Sequence, residues 1–284
     1  MNNLPIISAD ERLKENKGIK GCIFGQSGIG KTSLLWTLDP KSTLFFDLEA
    51  GDLAVEGWSG DCIRPKTWEE CCDFAVFIGG ANPALRPEQK FSQAHFDSVC
   101  QKFGDPKSID KYETIFIDSI TVAGRLCFQY AMGQPEAISD KSGKPDTRGA
   151  YGLHGREMIN WLTHLQHTRN KNIWFVGILD EKTDDFNRKV YSPQIEGSKT
   201  GLELPGIVDE VITMAEVKQE EGDSYRAFIC QTMNPFGYPA KDRSRRLDVI
   251  EEPHLGNLMT KIRSEPKPIK EHPKTNFNNN NKGE

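Results

Sequence analysis

Eight consecutive residues constrain this chain more than any others. Gly25-Gln26-Ser27-Gly28-Ile29-Gly30-Lys31-Thr32 fit the pattern GxxxxGK[ST]. At average residue usage, a chain of this length meets that pattern by accident roughly once in a hundred. The context is also right, because an apolar stretch at 19–24 precedes the loop and a helix-compatible stretch at 31–38 follows it. Glycines let such a backbone wrap phosphate groups with its N–H groups turned inward. Lys31 is then placed to reach the β- and γ-phosphates, and the Thr32 hydroxyl to ligate Mg²⁺. With Ser33 at the start of the helix, residues Gly25, Gln26, Ser27, Gly28, Ile29, Gly30, Lys31, Thr32 and Ser33 form the expected nucleotide-binding set. The expected cofactors are ATP and Mg²⁺.

A loop of this kind needs a buried strand on one side and a helix on the other, and the rest of the chain repeats that alternation. Short apolar strands are predicted at 43–46, 114–117, 173–176, 208–214 and 225–231, the last two antiparallel. Helices are predicted at 68–78, 87–103, 120–132 and 153–169, with Met158, Leu162 and Leu165 on one face of the last. Trp36, Trp161 and Trp174 fall in elements expected to be core. The stretches 133–151 and 179–200 are polar and read as loops. Alternating strands and helices predict an α/β fold, a mostly parallel sheet covered by helices on both faces.

Two carboxylates stand where chemistry would need them. Asp118 ends an apolar strand, where it can hold the metal through its water shell or simply cap the next helix. Glu49 follows the second strand, on the carboxyl edge where ligands bind in such sheets. A carboxylate there can orient and deprotonate water. Asp47 competes for that role, and a solvated loop acid is the plain alternative for Glu49.

Composition excludes several classes. The hydrophobic fraction of 37% supports a real core. No apolar run is long enough to span a bilayer, and residues 1–20 carry no apolar signal segment. A net charge of −5 excludes a bulk-basic nucleic-acid coat, so any such contact must come from local loops. The seven cysteines lack paired CxxC spacing, so buried thiols in a reducing cytosol are expected rather than a zinc site.

The order phosphate loop, strand with Glu49, strand with Asp118-Ser119, polar loop, helix, strand and second polar loop resembles the RecA-type recombinase core. It is most similar to the small phage-encoded RecA-like ATPases, the Sak-type single-strand annealing proteins. The segments Gly197-Ser198-Lys199, Leu204-Pro205, Val208-Asp209-Glu210-Val211 and Pro239-Ala240-Lys241-Asp242-Arg243 carry that closer likeness.

The resemblance spans about residues 17–250. It implies a RecA-like core at 18–260, preceded by a segment 1–17 with a candidate oligomerisation strand (Leu4-Pro5-Ile6-Ile7) and followed by a disordered, weakly basic tail at 261–284. It implies ATP hydrolysis with Glu49 as base and Lys31, Thr32 and Asp118 on the phosphates and metal. It also implies single-stranded DNA as partner. The DNA-binding loops would present Lys141, Lys144 and Arg148 in the first, and Lys182, Arg188, Lys189, Tyr191 and Lys199 in the second.

Lys241 and Arg243 are the candidate fingers that reach a neighbour's nucleotide in a homo-oligomer, and the tail could touch a single-strand binding protein. The place would be cytoplasmic, in a phage's host. The sequence departs from the resemblance at Gly177-Ile178-Leu179, where a polar γ-phosphate sensor is usual. Two other readings are kept: a switch or assembly ATPase without a DNA role, and a helicase-type ring motor.

Overall fold

The phosphate-loop strand lies inside the sheet, flanked on both sides. The structure, a computed structural model, describes residues 6–15, 17–139, 143–218 and 222–265. Strand β1 (Lys20–Gly25) is followed by β2 (Thr43–Asp47), β3 (Asp61–Ile63), β4 (Thr114–Asp118), β5 (Asn172–Thr183), β6 (Lys189–Pro193), β7 (Glu210–Val217), β8 (Tyr225–Ile229), β9 (Lys241–Asp242) and β10 (Ile250–Glu251). Helices α1 (Ala9–Lys14), α2 (Trp68–Gly79), α3 (Gln93–Phe103), α4 (Ile120–Met132), α5 (Thr147–Gln166), α6 (Ser198–Ile207) and α7 (Leu255–Ile262) lie between and around them. The sheet order is β10-β8-β7-β1-β5-β4-β2-β3. From β7 to β3 neighbours run parallel, while β8 and β10 extend the sheet antiparallel. This is the α/β fold expected from the sequence, a mostly parallel sheet with helices on both faces.

Alternation along each strand divides the core in two. Cys22, Phe24, Leu44, Phe46, Ile115, Ile117, Ile173 and Phe175 face one layer, with α2, α4 and α5 upon them. Ile23, Phe45, Phe116, Trp174, Val176 and Ile212 face the other, covered by Leu34 and Leu35 after the phosphate loop and by Leu255, Leu258 and Ile262 of α7. A strand pairs side chains at period two, so burial on both faces requires an unbroken apolar run. The sequence supplies that run in β1, β2, β4 and β5.

Several expectations are corrected. The segment after the phosphate loop is a 3₁₀ helix (Thr32–Thr37), not an α-helix. Two threonines, a Trp and the nearby Pro40 favour a short, tight element. Its turn directs Leu34 and Leu35 inward and leaves Trp36 half exposed, bonded through its indole to Ala54 O, so Trp36 is not core. The polar stretch 133–151 is only partly loop, since α5 begins at Thr147 and Arg148 lies on its first turn. Lys141 lies outside the described residues.

The stretch 179–200 is not an open loop either. β5 continues to Thr183 and pairs antiparallel with β6, and α6 starts at Ser198. The hairpin turns at Asp184, whose carboxylate accepts the N–H groups of Phe186 and Arg188, with Asn187 at φ 58°. Asp and Asn are residues that bond their own backbone in such turns. The tail boundary also moves. Lys261 and Ile262 belong to α7, and Trp174 Nε1 donates to Met259 Sδ at 3.1 Å, tying that helix to the sheet. Residues 266–284 and 1–5, with Leu4 and Pro5, lie outside the described residues. Within 1–17, Ser8 and Glu11 form a capping box that starts α1.

One buried carboxyl makes the fold sensitive to pH. Glu210 opens β7 and is 1% exposed. Its Oε1 accepts from Ser244 N, and Oε2 has no partner. Burial, reinforced by the Asp242 carboxylate, pushes its pKa from 4.5 up to about 8. A group raised on folding contributes stability below its unfolded pKa and loses it as pH rises through its folded pKa. Unfolding free energy should therefore fall between about pH 4.5 and pH 8. Glu210→Gln should flatten that slope and raise the melting temperature at pH 8, as followed by thermal melts across that range.

Candidate active site: a phosphate loop facing two strand-end carboxylates

Parallel pairing brings three strand ends to one edge. Gly25 of β1 opens the loop, and Asp47 of β2 is in register with Asp118 of β4. The N–H of Leu48 donates to Asp118 O at 2.7 Å, which locks the two strand ends together. Gly28 and Gly30 hold φ of 81° and 99°, and a Cβ at Gly28 would meet nothing within 4 Å. The loop is thus an open cradle whose turns need glycine.

Lys31 Nζ donates to Gly25 O at 3.0 Å and Gln26 O at 2.9 Å, folding back over the loop. Thr32 Oγ1 donates to Asp118 Oδ2 at 2.5 Å. The two residues expected on the metal are therefore in direct contact. Asp118 is 3% exposed. Burial pushes its pKa up to about 6, the Thr32 hydroxyl opposes that rise, and the Glu49 charge adds to it. Burial lowers the Lys31 pKa, against the pull of Asp118 and Glu49. These groups fit a Mg²⁺–nucleotide complex: a glycine-shaped backbone cradle, a cation at its mouth, and a hydroxyl beside a carboxylate.

The structure separates Glu49 from Asp47. The Asp47 side chain is fully buried and committed to the fold. It accepts from Glu49 N and Gly51 N at 3.2 Å each, and from Arg64 Nε at 3.1 Å. Arg64 also pairs with Asp52. Glu49 is exposed on the open edge, and Ser119 Oγ donates to its Oε1. Ser119 also caps α4 by accepting from Val122 N, so it joins the end of β4 to Glu49. The sequence alone does not assign Ser119 or Arg64 to this edge. Ser119 follows Asp118 directly and is legible there; Arg64 carries no local signal.

Other expected site residues lie elsewhere. Lys241 Nζ donates to Pro205 O and to Val208 O at 2.8 Å, closing the carboxyl end of α6. Burial lowers its pKa. Arg243 pairs with Asp209 at 2.8 Å. Both stand at the start of β7, the edge opposite the phosphate loop. Their side chains are taken up by their own chain rather than extended as fingers.

In the hairpin, Lys182 pairs with Asp180 at 3.1 Å, Arg188 with Asp184 at 2.8 Å and Lys189 with Glu181 at 2.7 Å. Lys199 lies 3.7 Å from Glu203. Tyr191 packs against Tyr238 with the rings tilted by 46° and their centroids 4.5 Å apart, so its ring is already partnered. Gln194 donates its N–H to Ile178 O at 2.8 Å and brings an exposed polar side chain beside the apolar end noted in the sequence. Tyr151 Oη donates to Glu196 Oε1 at 2.8 Å, so α5 and the return of the hairpin meet.

Fold and loop together define a nucleotide-binding P-loop ATPase. The chain belongs to the AAA-domain family, whose profile, described as "AAA domain", matches residues 17–244. No curated protein matches the chain. Among solved structures it is similar to a prototypical ATPase from the type III secretion system of pathogenic bacteria, at 15% identity and TM-score 0.38, covering 70% of this chain and 52% of that one. It therefore spans about half the length of that relative. It is also similar to the flagellar accessory protein FlaH from Methanocaldococcus jannaschii, at 12% identity and TM-score 0.31, covering 80% of this chain and 84% of that one. Among the described residues no helix is long and apolar enough to cross a membrane.

The two carboxylates should separate by experiment. Asp47→Asn should lower stability by about 1–3 kcal/mol, because it unpairs buried donors. Glu49→Gln should leave the melting temperature unchanged and slow ATP turnover by about 10²-fold while keeping nucleotide affinity. Chemical denaturation and steady-state ATPase assays on both variants check this.

Proposed function

We propose that this chain hydrolyses ATP with Mg²⁺ and couples the cycle to single-stranded DNA, in the manner of the RecA-like annealing proteins it resembles. The observation that carries the ATPase reading is the meeting of Lys31, Thr32, Asp118 and Glu49 at one sheet edge. Loop N–H groups and Lys31 bind the phosphates. Thr32 and Asp118 would hold Mg²⁺, which would supply neutralisation of the phosphate charge. Glu49, oriented by Ser119, accepts the proton of the attacking water at a carboxylate oxygen. Positioning and charge neutralisation do most of the work in such transfers.

The DNA reading rests on placement. The β5–β6 hairpin projects past the edge that carries the phosphate loop, and α5 begins beside it with Arg148 exposed. The hairpin's cations are paired, but the pairs are exposed, with side chains 65–72% accessible on the basic side. Exposed pairs are worth about 0–1 kcal/mol, so phosphate can displace them. That same pairing favours the second reading, an assembly or switch ATPase whose hairpin meets protein. Self-association is part of the proposal, and the exposed Ile6 and Ile7 support it; fingers at Lys241 and Arg243 are not.

A single assay divides the two readings. ATPase rate should rise with single-stranded DNA, and oligonucleotide affinity should fall with salt with a log–log slope of about −0.7 per neutralised phosphate. Replacing Lys144, Arg148, Arg188 and Lys189 together by Ala should flatten the slope and leave DNA-free ATPase activity intact. An absence of DNA binding at low salt with ATP and Mg²⁺ decides for the protein-directed reading. Loss of all hydrolysis in Lys31→Ala, with the circular dichroism unchanged, tests the nucleotide site itself.

A further inference from the structure

Most cations near the carboxyl edge are committed to carboxylates, and Arg226 is not. It is the second residue of β8 and stands directly opposite Glu216 of β7. Residues opposite each other in an antiparallel pair share a face, so an ion pair between them would be the ordinary outcome. Among the described residues Arg226 forms no ion pair with Glu216 or any other carboxylate. Its guanidinium turns instead to the phosphate loop, where Nη1 donates to Ile29 O at 3.3 Å. A Cβ built on Gly30 would lie 2.4 Å from the same nitrogen and 3.9 Å from Met214 Cε. The cation therefore rests on the turn of the loop, from the side opposite Asp118.

We propose that Arg226 is a nucleotide-binding residue acting within its own chain, closing over the phosphate chain of a nucleoside di- or triphosphate from the β8 side. The proposal rests on the ATP reading of the phosphate loop. The chemistry favours it in three ways. One long hydrogen bond to a neutral carbonyl is a weak anchor, and it leaves most of the guanidinium's donors open. The planar fork matches phosphate oxygens in pairs, which a carbonyl cannot offer. Finally, Gly30 leaves the space that the guanidinium fills. Contact lies at Ile29 and Gly30, away from Glu49 and Asp118, where hydrolysis would occur. Arg226 thus contributes to holding the nucleotide more than to the chemical step, and it serves ADP as well as ATP. Because the group is exposed, salt weakens its contribution.

The test is equilibrium titration of fluorescent ADP and ATP into the full chain with Mg²⁺, at low and high salt, for wild type, Arg226→Ala and Arg226→Lys. Arg226→Ala should weaken both nucleotides by about tenfold or more, the scale of one charge-assisted hydrogen bond. The loss should shrink at high salt, and Arg226→Lys should recover part of it. In steady state KM should rise more than kcat falls. Melting temperature without nucleotide should match wild type; were it lowered, Arg226→Gln, which keeps length and a donor, replaces the Ala variant in the same titrations. Unchanged affinity for both nucleotides overturns the proposal, and so does a fall in kcat alone. Equimolar mixing of Arg226→Ala with Lys31→Ala should give no more ATPase activity than the two separately. Recovery on mixing would mean the arginine serves a neighbour, and the within-chain claim falls. Wild type that binds neither nucleotide overturns the ATP reading itself, a result distinct from all of these.

Discussion

Everything at the active edge depends on β1 being paired on both sides. Its backbone is shared between β5 and β7, in parallel register from Lys20 to Gly25 on one side and from Gly21 to Phe24 on the other. A strand held that way cannot slip, since a one-residue shift would exchange Ile23 with Phe24 between the two core layers. The loop that leaves Gly25 is therefore presented at a fixed height. β2 and β4 run parallel to it, so their carboxyl ends arrive at the same edge. The meeting of Thr32 with Asp118 and of Ser119 with Glu49 follows from that register, although the residues are far apart in the chain.

The carboxylates at this edge differ because their surroundings differ. Asp47 is surrounded by donors, two backbone N–H groups and Arg64, and is held as a structural anion. Asp118 is buried with one hydroxyl donor, and burial wins, raising its pKa. Glu49 is in the open, steered by one serine. Three acids within a short span of β2 and β4 thus stand in separate surroundings: one holds a turn, one is buried against a hydroxyl, and one is exposed beside a serine. Burial and hydrogen bonding, rather than residue type, make the division.

The cations follow the same logic on a larger scale. Lys241 satisfies carbonyls at the end of α6, which Pro205 and the following turn would otherwise leave bare. The hairpin's lysines and arginine lie beside acids two to eight positions away and neutralise them. Charge balance inside the hairpin fits a net-acidic protein that nonetheless exposes many cations. Arg226 stands out because its cross-strand acid is at hand and goes unused.

Much of the site was legible in the sequence, for a physical reason: a phosphate loop works through backbone conformation, and glycine spacing records backbone conformation directly. The apolar runs of β1, β2, β4 and β5 disclose a sheet buried on both faces, with Asp118 at the end of β4 and Glu49 two residues past the end of β2. What the sequence could not decide depended on partners distant in the chain. Asp47 and Glu49 differ by two positions and look alike until Arg64 arrives from beyond β3. Polar residues at 179–200 read as loop because a solvent-exposed hairpin has no buried face to mark its period. Lys241 and Arg243 resembled free fingers until α6 was folded against them. The chain's own pattern determined that a nucleotide is held, and on which strands. Tertiary packing alone decided which acid is free, which cations are spent and which arginine reaches the loop, because charge and burial are set by neighbours in space.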